Sequence, residues 1–308
     1  MVYEWINNQK YIVSKNTTPS GAELKPNASA SNALDGIVAD GEQGAGYIYN
    51  MQYSNVVEDG SRANGWYEID GSADTGTDGD TDWYYFDDGE AERADSAKDL
   101  LAIADGDGAP VYRAKIKING KYFCFNEMGQ MQTGLQFIPD DSAFYYFDDN
   151  GYMQTGKETN VEDDDDSYNF YFITKNGKNG QGQMGEKDGY LYFGGKRLEA
   201  DDDYRIINYG GDYYLVNNKG KIQDSKSKKY DVENGNGYTD VVFTFSGDKL
   251  SGIKSIDGKE AKDSDWAELQ KKAVVPEIAL YDGYYTYDDK NGLGWLTEED
   301  YNKLLRNK

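Results

Sequence analysis

Residues 129–156 say nearly the same thing twice: Gly129-Gln-Met-Gln-Thr-Gly134 returns as Gly151-Tyr-Met-Gln-Thr-Gly156, 22 positions on. Between the copies runs Phe144-Tyr145-Tyr146-Phe147. Further aromatic strands of this type are Trp83-Tyr-Tyr-Phe86, Tyr122-Phe-Cys-Phe125, Phe170-Tyr-Phe-Ile173, Tyr190-Leu-Tyr-Phe193 and Tyr213-Tyr-Leu-Val216. In chain order their first positions are 39, 22, 26, 20 and 23 residues apart. A return of this length indicates a repeat architecture, in which each unit buries its apolar face only against a neighbour. The longest interval holds the insertion "AERADSAKDLLAIADGDGAP", which reads as one short helix. A partial copy, Trp5 to Val13, opens the chain.

Each copy reads as a β-hairpin. Asn119-Gly120, Asp188-Gly189 and Gly210-Gly211 stand before the aromatic strands, and such dipeptides tolerate the positive φ of two-residue hairpin loops. Side chains alternate across a strand, so positions one and three of each aromatic run share a face, and two and four share the other. Position four (Phe, Phe, Phe, Ile, Phe, Val) suits an inward face. Position one is aromatic in every copy. An isolated hairpin is barely stable in water, so the expected fold is mostly β: a solenoid of stacked β-hairpin repeats with a small α/β C-terminal domain. The expected divisions are 1–64 (partial repeat with insertion), 65–230 (repeats) and 231–308 (cap).

Composition agrees. The 308 residues include 28 Tyr and few long aliphatic runs, so aromatics must supply much of the buried area. The net charge of −24 disfavours nucleic acid, whose affinity comes from Lys and Arg displacing counterions, and attracts cations. The chain has no His, which removes Ser-His-Asp triads and His-type zinc sites. Cys124, in an alternating strand, reads as a small core residue. No 18-residue apolar stretch is present to span a membrane.

The succession Gly65-Trp66, Asn119-Gly120-Lys121, Trp83-Tyr-Tyr-Phe-Asp87 and Gly151-Tyr-Met-Gln-Thr-Gly156 resembles the cell-wall-binding, or choline-binding, repeat. Glucan-binding repeats of glucansucrases and the C-terminal repeats of large clostridial toxins are related. The resemblance covers roughly residues 65–224, is strongest over 115–156, and leaves a weaker trace at 1–15. It implies a secreted or surface protein of a Gram-positive bacterium whose signal peptide is absent from this chain. It also implies ligand cages of aromatics between repeats, attracting a cation by up to ~2 kcal/mol through each ring. Carried over, the cage residues are Trp66 and Trp83, with Tyr122 from the next copy. Where the family would place the Gly-Trp tryptophan again, this chain has Leu135, Lys157 and Glu186. Choline is therefore expected near Trp66 and Trp83 alone.

The implied function is a non-catalytic module recognising cell-wall polymer or extracellular carbohydrate, with choline as an alternative ligand. A structural spacer or adhesin engaging a host protein is a further alternative, supported by the long inserts at 16–64 and 87–114. Phe144, Phe170, Tyr190 and Tyr213 are expected to form an exposed row that carries ligand contact, against the rival reading that these rings pack. Asp78, Asp80 and Asp82 alternate in a way that suits Ca2+. Near the C-terminus, "SDWAELQKKA" reads as a helix capped by Ser264, and Thr297 as the cap of a last helix. A calcium-loop spacing from Asp289 to Asp300 competes with that second cap.

Overall fold

The computed structural model describes residues 11–14, 50–53, 63–70, 81–88, 90–94, 100–101, 111–126, 129–163, 166–235, 238–279, 284–289, 292–297 and 299–300. It is mostly β, built of small antiparallel sheets. Two compact units divide the chain, 1–154 and 155–308.

Unit one carries three hairpins: Gly65–Asp70 with Thr81–Asp87, Ala114–Ile118 with Lys121–Phe125, and Gly134–Ile138 with Ala143–Phe147. A fourth, Gly156–Asp163 with Asp166–Phe172, opens unit two. The fifth (Gly185–Lys187 with Tyr190–Phe193) and sixth (Tyr204–Tyr209 with Asp212–Asn217) follow. The expected loops hold. Ile118 pairs with Lys121 across Asn119 (φ 48°) and Gly120 (φ 86°), a turn in which both central residues need the left-handed region. Lys187 pairs with Tyr190, and Tyr209 with Asp212, across loops of the same kind.

In the second Gly-x-Met-x-Thr-Gly the opening glycine has a steric reason. A Cβ on Gly151 (φ 75°) would lie 2.3 Å from the Met131 sulfur, so the glycine of one copy makes room for the methionine of the one before. Cys124 is fully buried with Ile138, Ala143, Tyr145 and Phe147, as its alternating strand requires.

In unit two the sixth hairpin shares a core with the segment after it. Ile206 and Leu215 pack with Tyr230, Val241, Phe243, Phe245 and Leu269. Val242–Ser246 pairs with Lys249–Ile256, and the helix Asp263–Lys272 brings Leu269 into that core.

Three expectations are corrected. In the insertion, Leu100–Leu101 is a short strand paired with Val111–Tyr112. Gly106 and Gly108 weaken the helical alternative there. The cap of the 263–272 helix is Lys262, whose backbone N–H donates to the Asp265 carboxylate at 2.8 Å; Ser264 lies inside the first turn. The calcium-loop spacing, the lesser of the two readings there, is not formed, because Tyr284–Asp289 pairs with Gly292–Thr297 and Asp289 itself faces Gly292. Finally, the aromatic run of the fourth repeat begins one residue earlier than expected. Gly156 pairs with Phe172 as Gly65 pairs with Phe86 and Gly134 with Phe147, so position four is Phe172 and position one is Asn169.

Candidate functional site

The first hairpin sorts its aromatics by strand parity. Trp66 pairs with Tyr85 and Glu68 with Trp83, which places both tryptophans and Tyr85 on one face. Tyr84, Phe86 and Ile69 occupy the other face and are fully buried. Trp83 stays 42% exposed, and it and Val274 are the large hydrophobic side chains left exposed among the described residues. An indole held open in this way on a surface of −24 net charge is available to a ligand.

The second hairpin closes over this face with Phe123 and Phe125. The Phe123 ring lies 4.6 Å from Trp66, and Tyr85 meets Trp66 edge-on at 5.2 Å. Tyr152 adds a further wall, 5.4 Å from Phe123. Together Trp66, Trp83, Phe123, Tyr152 and Met131 line a cavity of about 240 Å³, with Asp149 and Asn150 at its polar rim. Drug-sized ligands occupy pockets of roughly 300–1,000 Å³, so this one suits a small group.

Local hydrogen bonds hold the walls in place. The Asp148 carboxylate accepts from the backbone N–H of Asn150 and Tyr152 and from the Gln154 amide at 2.7 Å, which fixes the turn that presents Tyr152. Gln130, locked to Asn126, donates to Asp82 at 3.1 Å and ties the turn before Met131 to the strand of Trp83. The Lys121 ammonium sits 3.3 Å from the centre of the Tyr152 ring. The tryptophans and Phe123 are then the cage rings that no cation of the chain covers among the contacts described, and Trp is the strongest cation acceptor of the aromatic side chains.

Trp66 and Trp83 thus come together as expected, and Tyr122 does not join them. Tyr122 pairs with Lys117 and shares a face with Lys115 and Cys124, opposite to Phe123. Phe123, Met131 and Tyr152 complete the cage in its place. The register held the signal: once Ala114 faces Phe125 as Gly65 faces Phe86, Phe123 must point back at the first hairpin.

That same alignment puts Lys115 at the position of Trp66. Its ammonium lies 4.0 Å from the Tyr145 ring centre and 5.5 Å from that of Tyr122, and it donates to Asp141 (2.6 Å) and to the Tyr145 hydroxyl (2.7 Å). The second hairpin supplies its own cation where the first leaves a cavity. Leu135 takes the equivalent place in the third and is buried.

The expected exposed row is not there. Phe144 and Phe170 are fully buried, since Phe144 pairs with Phe137 (5.2 Å) and Phe170 stacks on Phe172 (5.8 Å). Tyr213 is half-buried against Trp266 at 5.5 Å. Tyr190 is half-buried beneath the Arg197 guanidinium at 5.4 Å. Asp78 and Asp80 lie outside the described residues, and Asp82 is held by Gln130. Among the described residues no cluster of three acidic, Cys or His side chains could hold a metal, and no helix is long and apolar enough to cross a membrane.

No protein-family model matches the chain, and no curated protein matches it significantly. Solved structures do. CbpF in complex with ipratropium is 19% identical at a TM-score of 0.39, over 66% of this chain and 56% of that one, so the chain spans about half of CbpF. The chain resembles choline-binding proteins. CbpJ from Streptococcus pneumoniae is 18% identical (TM-score 0.32; 70% of this chain, 75% of that one). The modular autolysin LytC of the same species, solved with a synthetic peptidoglycan ligand, is 14% identical (TM-score 0.31; 78% and 44%).

Proposed function

We propose that the chain is a non-catalytic binding module of a secreted or surface protein that attaches to a cell-wall polymer. In this reading the cage between the first two hairpins takes an ammonium substituent of choline type. The observation that carries it is the cavity walled by Trp66, Phe123 and a 42%-exposed Trp83 on a chain of net charge −24. Aromatic faces and a thioether offer attraction to a cation, and the Asp149 carboxylate stands at the rim. Three uncovered rings at ~1–2 kcal/mol each give an affinity in the region of ~1 mM.

Titrating choline into the full chain while following Trp fluorescence tests this. A saturating change is expected, and Trp83→Ala should abolish it while leaving the melting temperature near that of the parent. No change up to about 50 mM, far above the affinity just estimated, would remove the ammonium reading.

A further inference from the structure

The second unit contains a larger cleft that the cage does not use. Its volume is about 510 Å³, within the range of pockets that hold small organic ligands. Val274, the other exposed large hydrophobic among the described residues, stands in its wall. Leu198, Ile207 and Pro276 add apolar surface, and Tyr168 adds an aromatic ring. The backbone of the Val274 segment is fixed by mutual hydrogen bonds: Val274 N–H donates to Ile206 (2.9 Å) and Asn208 N–H donates to Val274 (2.8 Å).

Five of the charged side chains lining this cleft, Lys196, Arg197, Glu199, Asp201 and Arg205, are paired before any ligand arrives, while Asp166, which accepts from the Tyr168 hydroxyl at 3.5 Å, and Glu277 also line it. Lys196 donates at 2.7 Å to Asp163, a carboxylate whose side chain is 1% exposed and which also accepts from the Ala279 backbone. The same ammonium lies 3.5 Å from the Tyr168 ring centre and holds the ring in the wall. Arg197 pairs with Glu199, which accepts from Asn169 as well, and Arg205 pairs with Asp201 and Glu233. At these paired side chains an anionic ligand would have to displace the carboxylates, and a cationic one the guanidinium and ammonium groups. A neutral ligand displaces neither. A hydroxyl both donates and accepts, so one hydroxyl can bridge the two halves of a carboxylate–guanidinium pair, whereas a backbone amide divides donor and acceptor between separate atoms. Fixed polar pairs beside an aromatic ring and an aliphatic wall match an uncharged sugar, with hydroxyls at its rim and C–H groups on its face.

We propose that this cleft is a saccharide subsite for uncharged sugar units, separate from the ammonium cage. The assignment rests on the reading of the chain as a wall-polymer module and locates where the glycan part of such a polymer would bind. Because the polar side chains are already held, little ordering cost falls on binding.

Calorimetric titration of the full chain with two probes tests it: a tetrasaccharide of β-1,4-linked N-acetylglucosamine and one of α-1,6-linked glucose. At least one should bind. Tyr168→Ala and the isosteric Glu199→Gln should each weaken it by about tenfold, while Trp83→Ala leaves it unchanged. Should either cleft variant fail to fold, hydroxyl-radical footprinting of the parent protein gives the same answer, with the sugar protecting Tyr168 and not Trp83. The proposal is overturned if neither tetrasaccharide binds at about 10 mM, a ceiling well above small-ligand affinities of interest. It is equally overturned if folded Tyr168→Ala and Glu199→Gln bind as the parent does, or if Trp83→Ala removes sugar binding. Choline titrated in parallel separates the two readings, since it reports on the cage alone.

Discussion

Replacing Lys115 with Met should destabilise the protein far more than removal of an ordinary surface lysine. The substitution keeps the hydrocarbon stem and deletes the ammonium. What is lost is a 2.6 Å bond to Asp141, a 2.7 Å bond to the Tyr145 hydroxyl and the attraction of the Tyr145 ring at 4.0 Å. Hydrogen bonds to charged groups are worth about 1.5–3 kcal/mol. With Lys115 19% and Asp141 32% exposed, solvent screening points to the low end of that range. Counting the Lys115–Asp141–Tyr145 site once, because Tyr145 keeps its own bond to Asp141, and adding a partly desolvated cation–π contact of about 1 kcal/mol gives a loss of about 2–3 kcal/mol. For a unit of this size the melting temperature should fall by about 5–10 °C.

The pH dependence makes the test specific. Burial pushes the Asp141 carboxyl upward, but the hydrogen bonds from Lys115 and Tyr145 and the charge of Lys115 outweigh it and hold it below its ordinary range. A carboxylate depressed in the folded state stabilises fully above its unfolded pKa of about 3.9, and that stability is lost as the pH falls through the folded value. The gap between parent and Lys115→Met, followed by circular dichroism melts, should therefore be constant from neutral pH down to about 5 and close below about 4. Ethylammonium added to Lys115→Ala should recover part of the gap. If Lys115→Met melts within about 1 °C of the parent at every pH, the ammonium is a solvated side chain and the reasoning fails.

Three further outcomes are expected. Phe144→Ala should cost about 3–5 kcal/mol in urea denaturation, as for a fully buried aromatic, and should leave choline binding to the surviving folded protein unchanged. Gly151→Ala should cost about 1–3 kcal/mol, combining strain at φ 75° with the Met131 clash; Met131→Ala in the same chain should relieve the clash, so a double-mutant cycle should show coupling. Asp163→Ala should cost about 3–5 kcal/mol, because it leaves Lys196 without its buried partner, and unfolding at neutral pH measures it.

The turns were the legible part of this fold. Asn119-Gly120, Asp188-Gly189 and Gly210-Gly211 announce a backbone conformation that few other dipeptides tolerate, and each hairpin forms where its dipeptide stands. Strand parity was much less legible. In runs such as Tyr122-Phe-Cys-Phe125, every position is apolar or aromatic, so hydrophobicity cannot say which side faces which neighbour. Only the pairing partner decides it, and that is why Tyr122 was expected in a cage that Phe123 occupies. The fourth repeat adds a register shift between Glu158 and Val161, where Asn160 takes a left-handed φ of 57°, and its run starts at the non-aromatic Asn169, which hid its frame. The insertion misled for a different reason. Its helix-like composition lost to local pairing of Leu100–Leu101 with Val111–Tyr112.

One position in the hairpin, immediately after the residue that faces position four, sets what each of the first three repeats presents. Trp66 there leaves a cavity lined by aromatic rings, open at Trp83. Lys115 there reaches Tyr145 and Tyr122 with its own ammonium, so the rings that could accept a ligand cation already have one. Leu135 there is buried and pairs with Tyr146, leaving hydrocarbon packing. The backbone pairing is the same in all three: Gly65 with Phe86, Ala114 with Phe125, Gly134 with Phe147. A hairpin of this kind must bury its face against something, and the identity of one side chain decides whether that is a ligand, a tethered cation or another apolar surface. On the proposed ammonium reading, binding capacity in such a chain is a matter of which repeats keep the indole, and a single exchange, Lys115→Trp, is the shortest route from a self-satisfied interface to an open one.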